Sequence, residues 1–115
     1  MNILKVAVLM PVYNGEKFVK KQIISILNQK NIDPTIFISI DKSTDNSEKY
    51  LENLKKKFKN IKILSKNSKF GSPTKNFFHL ISNFKINNFD YVSLSDQDDI
   101  WYPEKLIKSI NILKN

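Results

Sequence analysis

From Leu4 to Met10 the chain reads Leu-Lys-Val-Ala-Val-Leu-Met, a nearly continuous apolar run that Pro11 then ends. A strand with one wet face alternates apolar and polar residues, so a run without alternation calls for apolar cover on both faces. That requirement points to a parallel sheet between helical layers. The 115 residues suffice for one domain at most, with about four strands and their helices around a single core.

The rest of the chain supplies those elements in alternation. Phe18 to Gln29 carries Val19, Ile23, Ile26 and Leu27 on one stripe, with Lys20, Lys21 and Gln22 mostly off it, and its start is marked by Asn14 and Gly15. Thr35 to Ile40, after the breaker Asp33-Pro34, is rich in β-branched residues and reads as a second strand. Ser47 to Phe58 reads as a helix capped by Asp45 or Asn46, with Tyr50, Leu51, Leu54 and Phe58 inward and Lys55, Lys56, Lys57 and Lys59 at its carboxyl end. A short strand, Ile61 to Leu64, precedes the loop Ser65 to Gly71. Ser72-Pro73 then opens a third helix that buries Phe77, Leu80, Ile81 and Phe84 and leaves His79 at its boundary. Tyr91 to Ser95 reads as a buried fourth strand, and Pro103 to Leu113 as a last helix with Leu106, Ile110 and Leu113 inward.

Alternating strands and helices predict a mostly parallel sheet whose strand-to-helix loops share one edge, where ligands bind at the switch point. Function is therefore expected in Pro11 to Glu16, Asp41 to Asn46, Ser65 to Gly71 and Asp96 to Trp101. The last of these is the most informative, because Asp96, Asp98 and Asp99 crowd three acids where their repulsion needs compensation. In an extended chain Asp96 and Asp98 point the same way with Gln97 opposite, a pincer for Mg²⁺ or Mn²⁺, which fill their remaining positions with water and phosphate oxygens. The competing reading is that the acids start the next helix, whose first turn Pro103 suits. No Gly-x-Gly-x-x-Gly follows the first strand and no Gly-Lys-Ser/Thr occurs, which argues against a dinucleotide oxidoreductase or a P-loop enzyme.

The net charge of +8 resembles a nucleic-acid signal until its residues are read: every basic residue is Lys and none is Arg, the residue favoured for base and phosphate forks. A basic nucleic-acid-binding protein is accordingly a minor alternative. The lysines are spread along the chain, which leaves room for attraction to acidic lipids or phosphorylated substrates. There is no Cys, compatible with a reducing cytoplasm, and no apolar run approaches a membrane span. A soluble cytoplasmic location, with peripheral association at the inner face of the cell membrane, is the expectation.

Pro11-Val12-Tyr13-Asn14-Gly15, Asp41-Lys42-Ser43-Thr44-Asp45, Gly71 with Lys75-Asn76-Phe77, and Ser95-Asp96-Gln97-Asp98-Asp99-Ile100-Trp101 followed by Pro103-Glu104-Lys105-Leu106 occur in that order. Together they resemble the motifs of the inverting family-2 glycosyltransferases, in the form common among rhamnosyltransferase-like members. The resemblance spans essentially the whole chain. It implies the GT-A fold, a Rossmann-like three-layer α/β/α arrangement with a mostly parallel sheet, here incomplete. It also implies transfer of a sugar from a UDP- or dTDP-linked donor to a saccharide or lipid-linked acceptor in cell-surface polysaccharide synthesis.

Carried over by position, the resemblance puts Pro11, Val12 and Tyr13 in the nucleotide pocket, although Tyr13 also suits a loop residue packing under the first helix. It gives Asp41 a hydrogen bond from the base, against the alternative of a turn-forming aspartate. Lys75 approaches the diphosphate unless it is simply a solvated helix side chain. Asp96 approaches the ribose or the Mn²⁺ or Mg²⁺ ion, and Asp98 is the more direct metal ligand. The chain departs from the family at Ile40 and Lys42, where an acid and a glycine are usual. The family's general base lies on a later segment, so the catalytic residue is unknown here, and residues 1–115 read as a single donor-binding domain, a fragment or a short gene product. A catalytically silent nucleotide-sugar-binding module is the main alternative. Apolar surface left bare by truncation makes self-association a further expectation.

Overall fold

The computed structural model describes residues 3–96 and 99–114. Its elements are β1 (Leu4–Val12), α1 (Val19–Leu27), β2 (Ile32–Asp41), α2 (Ser47–Lys57), β3 (Ile61–Ser68), α3 (Pro73–Asn83), β4 (Tyr91–Leu94) and α4 (Lys105–Lys114). The four strands form one parallel sheet in the order β3-β2-β1-β4. The expected alternation and the parallel sheet are thus both present.

Alternation along β1 divides the core. Val6, Val8, Met10 and Val12 join a cluster with Val19, Ile23 and Ile26 of α1, Leu51 and Leu54 of α2, and Leu106 and Ile110 of α4. Ala7 and Leu9 point to the opposite face, where α3 lies against β1 and β2 and buries Leu80. On that same face Phe37 sits edge-on to Phe84 and Phe89. β1 is therefore covered on both sides, as its unbroken apolar run requires.

Both strand ends run past the proline expected to stop them. Lys5 and Leu9 accept backbone bonds from Asp90 and Ser95, so odd residues of β1 address β4. Pro11 falls on that side beyond the last paired residue of β4, where Leu9 meets Leu94, and its missing N–H removes no ladder bond. Pro34 has the same relation to β3: Ile36 N donates to Asn60 O, and the position two residues earlier precedes the start of β3. The carbonyl of Pro34 instead accepts from Asn60 Nδ2 at 2.7 Å.

The apolar stripes also differ from expectation in places. β4 is an edge strand, not a buried one, with Val92 39% and Leu94 51% exposed. A single helix about 10 Å across cannot cover four strands spaced about 4.8 Å apart, and α3 sits over β1 and β2. For the same reason Ile81 on α3 is exposed, while Asn76 takes a buried place beside Leu80. Leu113 of α4 is exposed as well, and Gln22 of α1, expected off the stripe, is fully buried. Ile38→Ala in the doubly covered part of the sheet is expected to cost about 2–5 kcal/mol in urea unfolding. Leu94→Ala on the bare strand should cost less than about 1 kcal/mol, a contrast that would vanish if β4 were buried.

Candidate functional site

The carboxyl ends of the strands lead into loops that are tied to one another by side chains. After β1, Asn14 adopts a left-handed conformation with φ +48°, which a short polar side chain tolerates. Its N–H donates to Ser43 Oγ at 3.0 Å, and its Oδ1 accepts from Thr44 N at 2.8 Å. Gly15 N donates to Ser47 Oγ at 2.8 Å and Glu16 N to Asp45 Oδ2 at 3.1 Å. Asp45 Oδ1 accepts from Ser47 N at 2.9 Å and from Ser47 Oγ, a local turn just ahead of α2, whose cap position is Asn46 with no side-chain cap bond. The Ser43-Thr44-Asp45 turn thus acts as a latch on the loop that enters α1. Burial pushes the Asp45 carboxyl up, but bonds from Ser47 and Glu16 outweigh it and hold the group below its ordinary value.

Asp41 binds the next loop. Its Oδ1 accepts from Lys42 N and Phe70 N, each at 2.9 Å, and its Oδ2 from Gly71 N at 3.2 Å. A second tie, from Lys42 N to Ser68 O at 2.8 Å, extends the pairing of β2 with β3 past a register shift. Gly71 has φ +79°, a turn suited to glycine, and Ser72 follows as the cap of α3, its Oγ accepting from Lys75 N at 3.1 Å. The Asp41 carboxylate therefore does what a turn-forming aspartate does and reaches a second loop besides. With about four lone-pair sites on a carboxylate, three are committed to backbone, and room for one further donor remains on Oδ2.

The acidic loop is held from below by α1. Gln22 Nε2 donates to Ser95 Oγ at 2.8 Å and to Asp96 O at 2.6 Å. Ser25 Oγ accepts from Trp101 N at 3.1 Å, and Gln29 bridges Tyr102 O and Leu106 N at 2.8 and 2.9 Å. Trp101 is buried, and its ring N–H donates to Asp99 Oδ2 at 2.9 Å, which turns that acid toward the indole. Asp96 is exposed, and no described residue donates a hydrogen bond to its carboxylate. Asp98, expected to be the more direct metal ligand, lies outside the described residues. Among the described residues no group of three acidic or histidine side chains converges as a metal cluster.

These loops enclose a cleft of about 570 Å³. Pro11, Val12 and Tyr13 form one wall, Gly71, Ser72 and Pro73 another, and Asp41, Asn76 and Asp96 contribute polar groups. Of the residues singled out in the sequence, Pro11, Val12, Tyr13, Asp41 and Asp96 all line it. Lys75 does not: it stands exposed on the first turn of α3, while Lys42 and Lys69 occupy the rim. Lys69 carried no signal, because one lysine in a lysine-rich polar stretch looks like any other. Gln22 had one: residues 19, 22, 23 and 26 follow helical spacing, which places the amide inside the apolar stripe.

Strand order, loop edge and cleft define the α/β fold of the GT-A glycosyltransferases. S. aureus TarS 1–349 in complex with UDP-GlcNAc shares it at a TM-score of 0.74 and 23% identity, over 96% of this chain and 31% of that one. The mannosyltransferase PcManGT of Pyrobaculum calidifontis, solved with GDP-Man and Mn²⁺, does so at a TM-score of 0.74 and 15% identity, over 96% and 32%. Residues 7–115 match Glycosyl transferase family 2, and the chain belongs to that family. It is 44% identical over 105 residues to the dTDP-rhamnosyl transferase RfbG of Shigella flexneri, covering 90% of this chain and 36% of that protein. The chain thus spans about a third of the length of these relatives.

Two measurements probe the loop ties. Asp41→Ala leaves the backbone donors of Phe70 and Gly71 unpaired, Lys42 N keeping its bond to Ser68 O, and is expected to destabilise the fold by about 1.5–3 kcal/mol in chemical unfolding. For Asp45 the folded value is depressed, so its stabilisation is present above the unfolded value and is lost as pH falls through the folded one. The contribution of Asp45 to the unfolding midpoint should be lost as pH falls below about 4, and Asp45→Asn should shrink the drop seen there.

Proposed function

We propose that this chain is the donor-binding part of a glycosyltransferase that moves a sugar from a nucleotide-diphosphate donor to a saccharide or lipid-linked acceptor in cell-surface polysaccharide synthesis. The observation that carries the proposal is the convergence of Pro11, Val12, Tyr13, Asp41 and Asp96 from separate strand ends on one cleft. The dTDP-rhamnosyl transferase relative supports a dTDP-linked donor, and the UDP-GlcNAc bound to TarS supports a UDP-linked one. Uracil and thymine both present an N–H that suits the open lone pair of Asp41. Tyr13 offers its ring to the base or ribose. Lys42 and Lys69 place two ammonium groups at the rim, where a diphosphate carries its charge.

The chemistry of the donor set fits a divalent cation. An exposed carboxylate at Asp96, free of donors from described residues, is the hard oxygen ligand that Mn²⁺ or Mg²⁺ takes singly or in pairs. Asp98 is the second ligand in this reading, and the Mn²⁺ in PcManGT is consistent with the type of ion. Such an ion, when bound, neutralises the charge that develops on the leaving nucleoside diphosphate. The chain's own part is to bind and orient: Asp41 and the first-strand residues seat the nucleoside, and the rim lysines steer the phosphates toward Asp96.

The basic charge supports a site of action beside acidic lipids at the inner membrane face. Exposed Val92 and Leu94 support self-association through the bare side of the sheet. Family membership favours an enzyme over a silent binding module, and the acidic residues in the cleft weigh against nucleic acid.

Calorimetry with UDP and dTDP is the direct test. Binding is expected in Mn²⁺ and should weaken by about 1–3 kcal/mol in Asp96→Asn or Asp98→Asn. Equal affinity in Mn²⁺ and in chelator would remove the metal from the proposal. No binding of either nucleotide under any condition would remove the donor site itself.

A further inference from the structure

Of the two described acids that line the cleft, Asp41 is held by backbone donors, whereas the side chain of Asp96 has no hydrogen-bond donor among the described residues to hold it. A surface carboxylate in that position would sweep through several rotamers, and a metal ligand that does so must be ordered on each binding event. Its direction must then be set through the backbone. The backbone here is set by one side chain: Gln22, fully buried in α1, donates at 2.6 Å to the carbonyl of Asp96 and at 2.8 Å to Ser95 Oγ.

A fully buried Gln in the apolar stripe of a helix is costly unless its polar atoms are used. Two bonds from Nε2 use the donor end, and both go to the two residues at which β4 becomes the acidic loop. The Oε1 end is buried and accepts no bond from a described residue, so Gln22 is retained at an energetic cost that its apolar neighbours Ile23 and Ile26 do not carry. Ser25 and Gln29, one and two turns on, repeat the device on Trp101, Tyr102 and Leu106. Only Gln22 touches the residue that enters the cleft.

We infer that Gln22 is a positioning residue, whose bond to the Asp96 carbonyl fixes the direction from which the Asp96 carboxylate meets a divalent cation and the phosphates of a nucleotide. The inference rests on the proposed donor site and adds the residue that tunes it from outside the cleft. Loss of a partner that orients a metal ligand typically weakens metal affinity about 10–100-fold. The effect on binding is therefore expected to be confined to the metal-dependent part.

The test uses the full 115-residue chain, with Mn²⁺ and UDP or dTDP as probes in calorimetry. Gln22→Met keeps the length and removes both donors. Gln22→Glu keeps the shape and can accept from the Ser95 hydroxyl where Gln22 donates to it, but cannot donate to the Asp96 carbonyl. Gln29→Met is the control, since it also breaks the side-chain bonds of a buried glutamine, here just past the end of α1 and outside the lining of the cleft. The Gln22 variants should lose about tenfold or more of Mn²⁺-dependent nucleotide affinity while binding in chelator stays put, and Gln29→Met should retain wild-type affinity despite a lowered melting midpoint. Wild-type affinity in Gln22→Met would overturn the inference, and so would an equal loss in Gln29→Met, which would mean general loosening. If the unaltered protein binds neither nucleotide in Mn²⁺, the donor-site reading fails on its own. Backbone order at Ser95 and Asp96, measured by NMR relaxation without ligand, then decides the matter: it should fall in Gln22→Met, and unchanged order overturns the positioning role.

Discussion

Three backbone N–H groups converge on the carboxylate of Asp41, and the shape of the cleft depends on that convergence. Two of them, from Phe70 and Gly71, belong to the loop that follows β3, so the charge at the end of one strand holds the loop of the next. Backbone donors on an ionised acceptor make stronger bonds than neutral pairs, and a buried carboxylate needs them to offset its lost hydration. The same three bonds leave one acceptor site on Oδ2 uncommitted, and Asp41 is among the residues that line the cleft. A side chain ordered by the fold in this way is held in place at the cleft before any ligand arrives.

Polar side chains are used throughout the site to join loops that the sheet only brings near one another. Asn14, Ser43, Asp45 and Ser47 tie the first loop to the second, and Asp41 ties the second to the third. The fourth loop is tied to α1 through Gln22 and Ser25, and Gln29, just past that helix, holds Tyr102 and the start of α4. In consequence most of the conspicuous motif residues in the second loop face other loops, and fewer face the cleft than their number suggests. α1 has two duties: Val19, Ile23 and Ile26 supply the core, and the interleaved polar residues clamp the acidic loop.

The electrostatics of the cleft follow from which charges the fold leaves free. Asp45 and Asp99 are engaged by Ser47, Glu16 and Trp101, and Asp41 by backbone, whereas Asp96 receives no bond from a described residue. Lys42 and Lys69 reach the rim from loops held by Asp41, so the positive groups sit on backbone that a negative group organises. The overall charge of +8 is spread along the chain, whereas these two positions concentrate positive charge at the cleft.

Hydrophobic periodicity in the sequence determined the number, type and order of the elements, because a strand covered on both faces and an amphipathic helix each leave a local pattern. Cap chemistry at Ser72-Pro73 and the four loop motifs were legible for the same reason: each is written within a few residues. The run of β1 through Pro11 and of β2 through Pro34 was not, since a proline's missing N–H matters only if a neighbouring strand stands opposite, and strand register is a tertiary fact. The exposure of Leu94, Ile81 and Leu113 had the same origin, an apolar side chain being buried only where another layer reaches it. Likewise the bonds of Asp41 to Phe70 and Gly71, and of Gln22 to Asp96, span about 30 and 74 positions of sequence. Local pattern told which residues were polar and near a strand end; only the folded sheet, by bringing four strand ends to one edge, decided which of them touch.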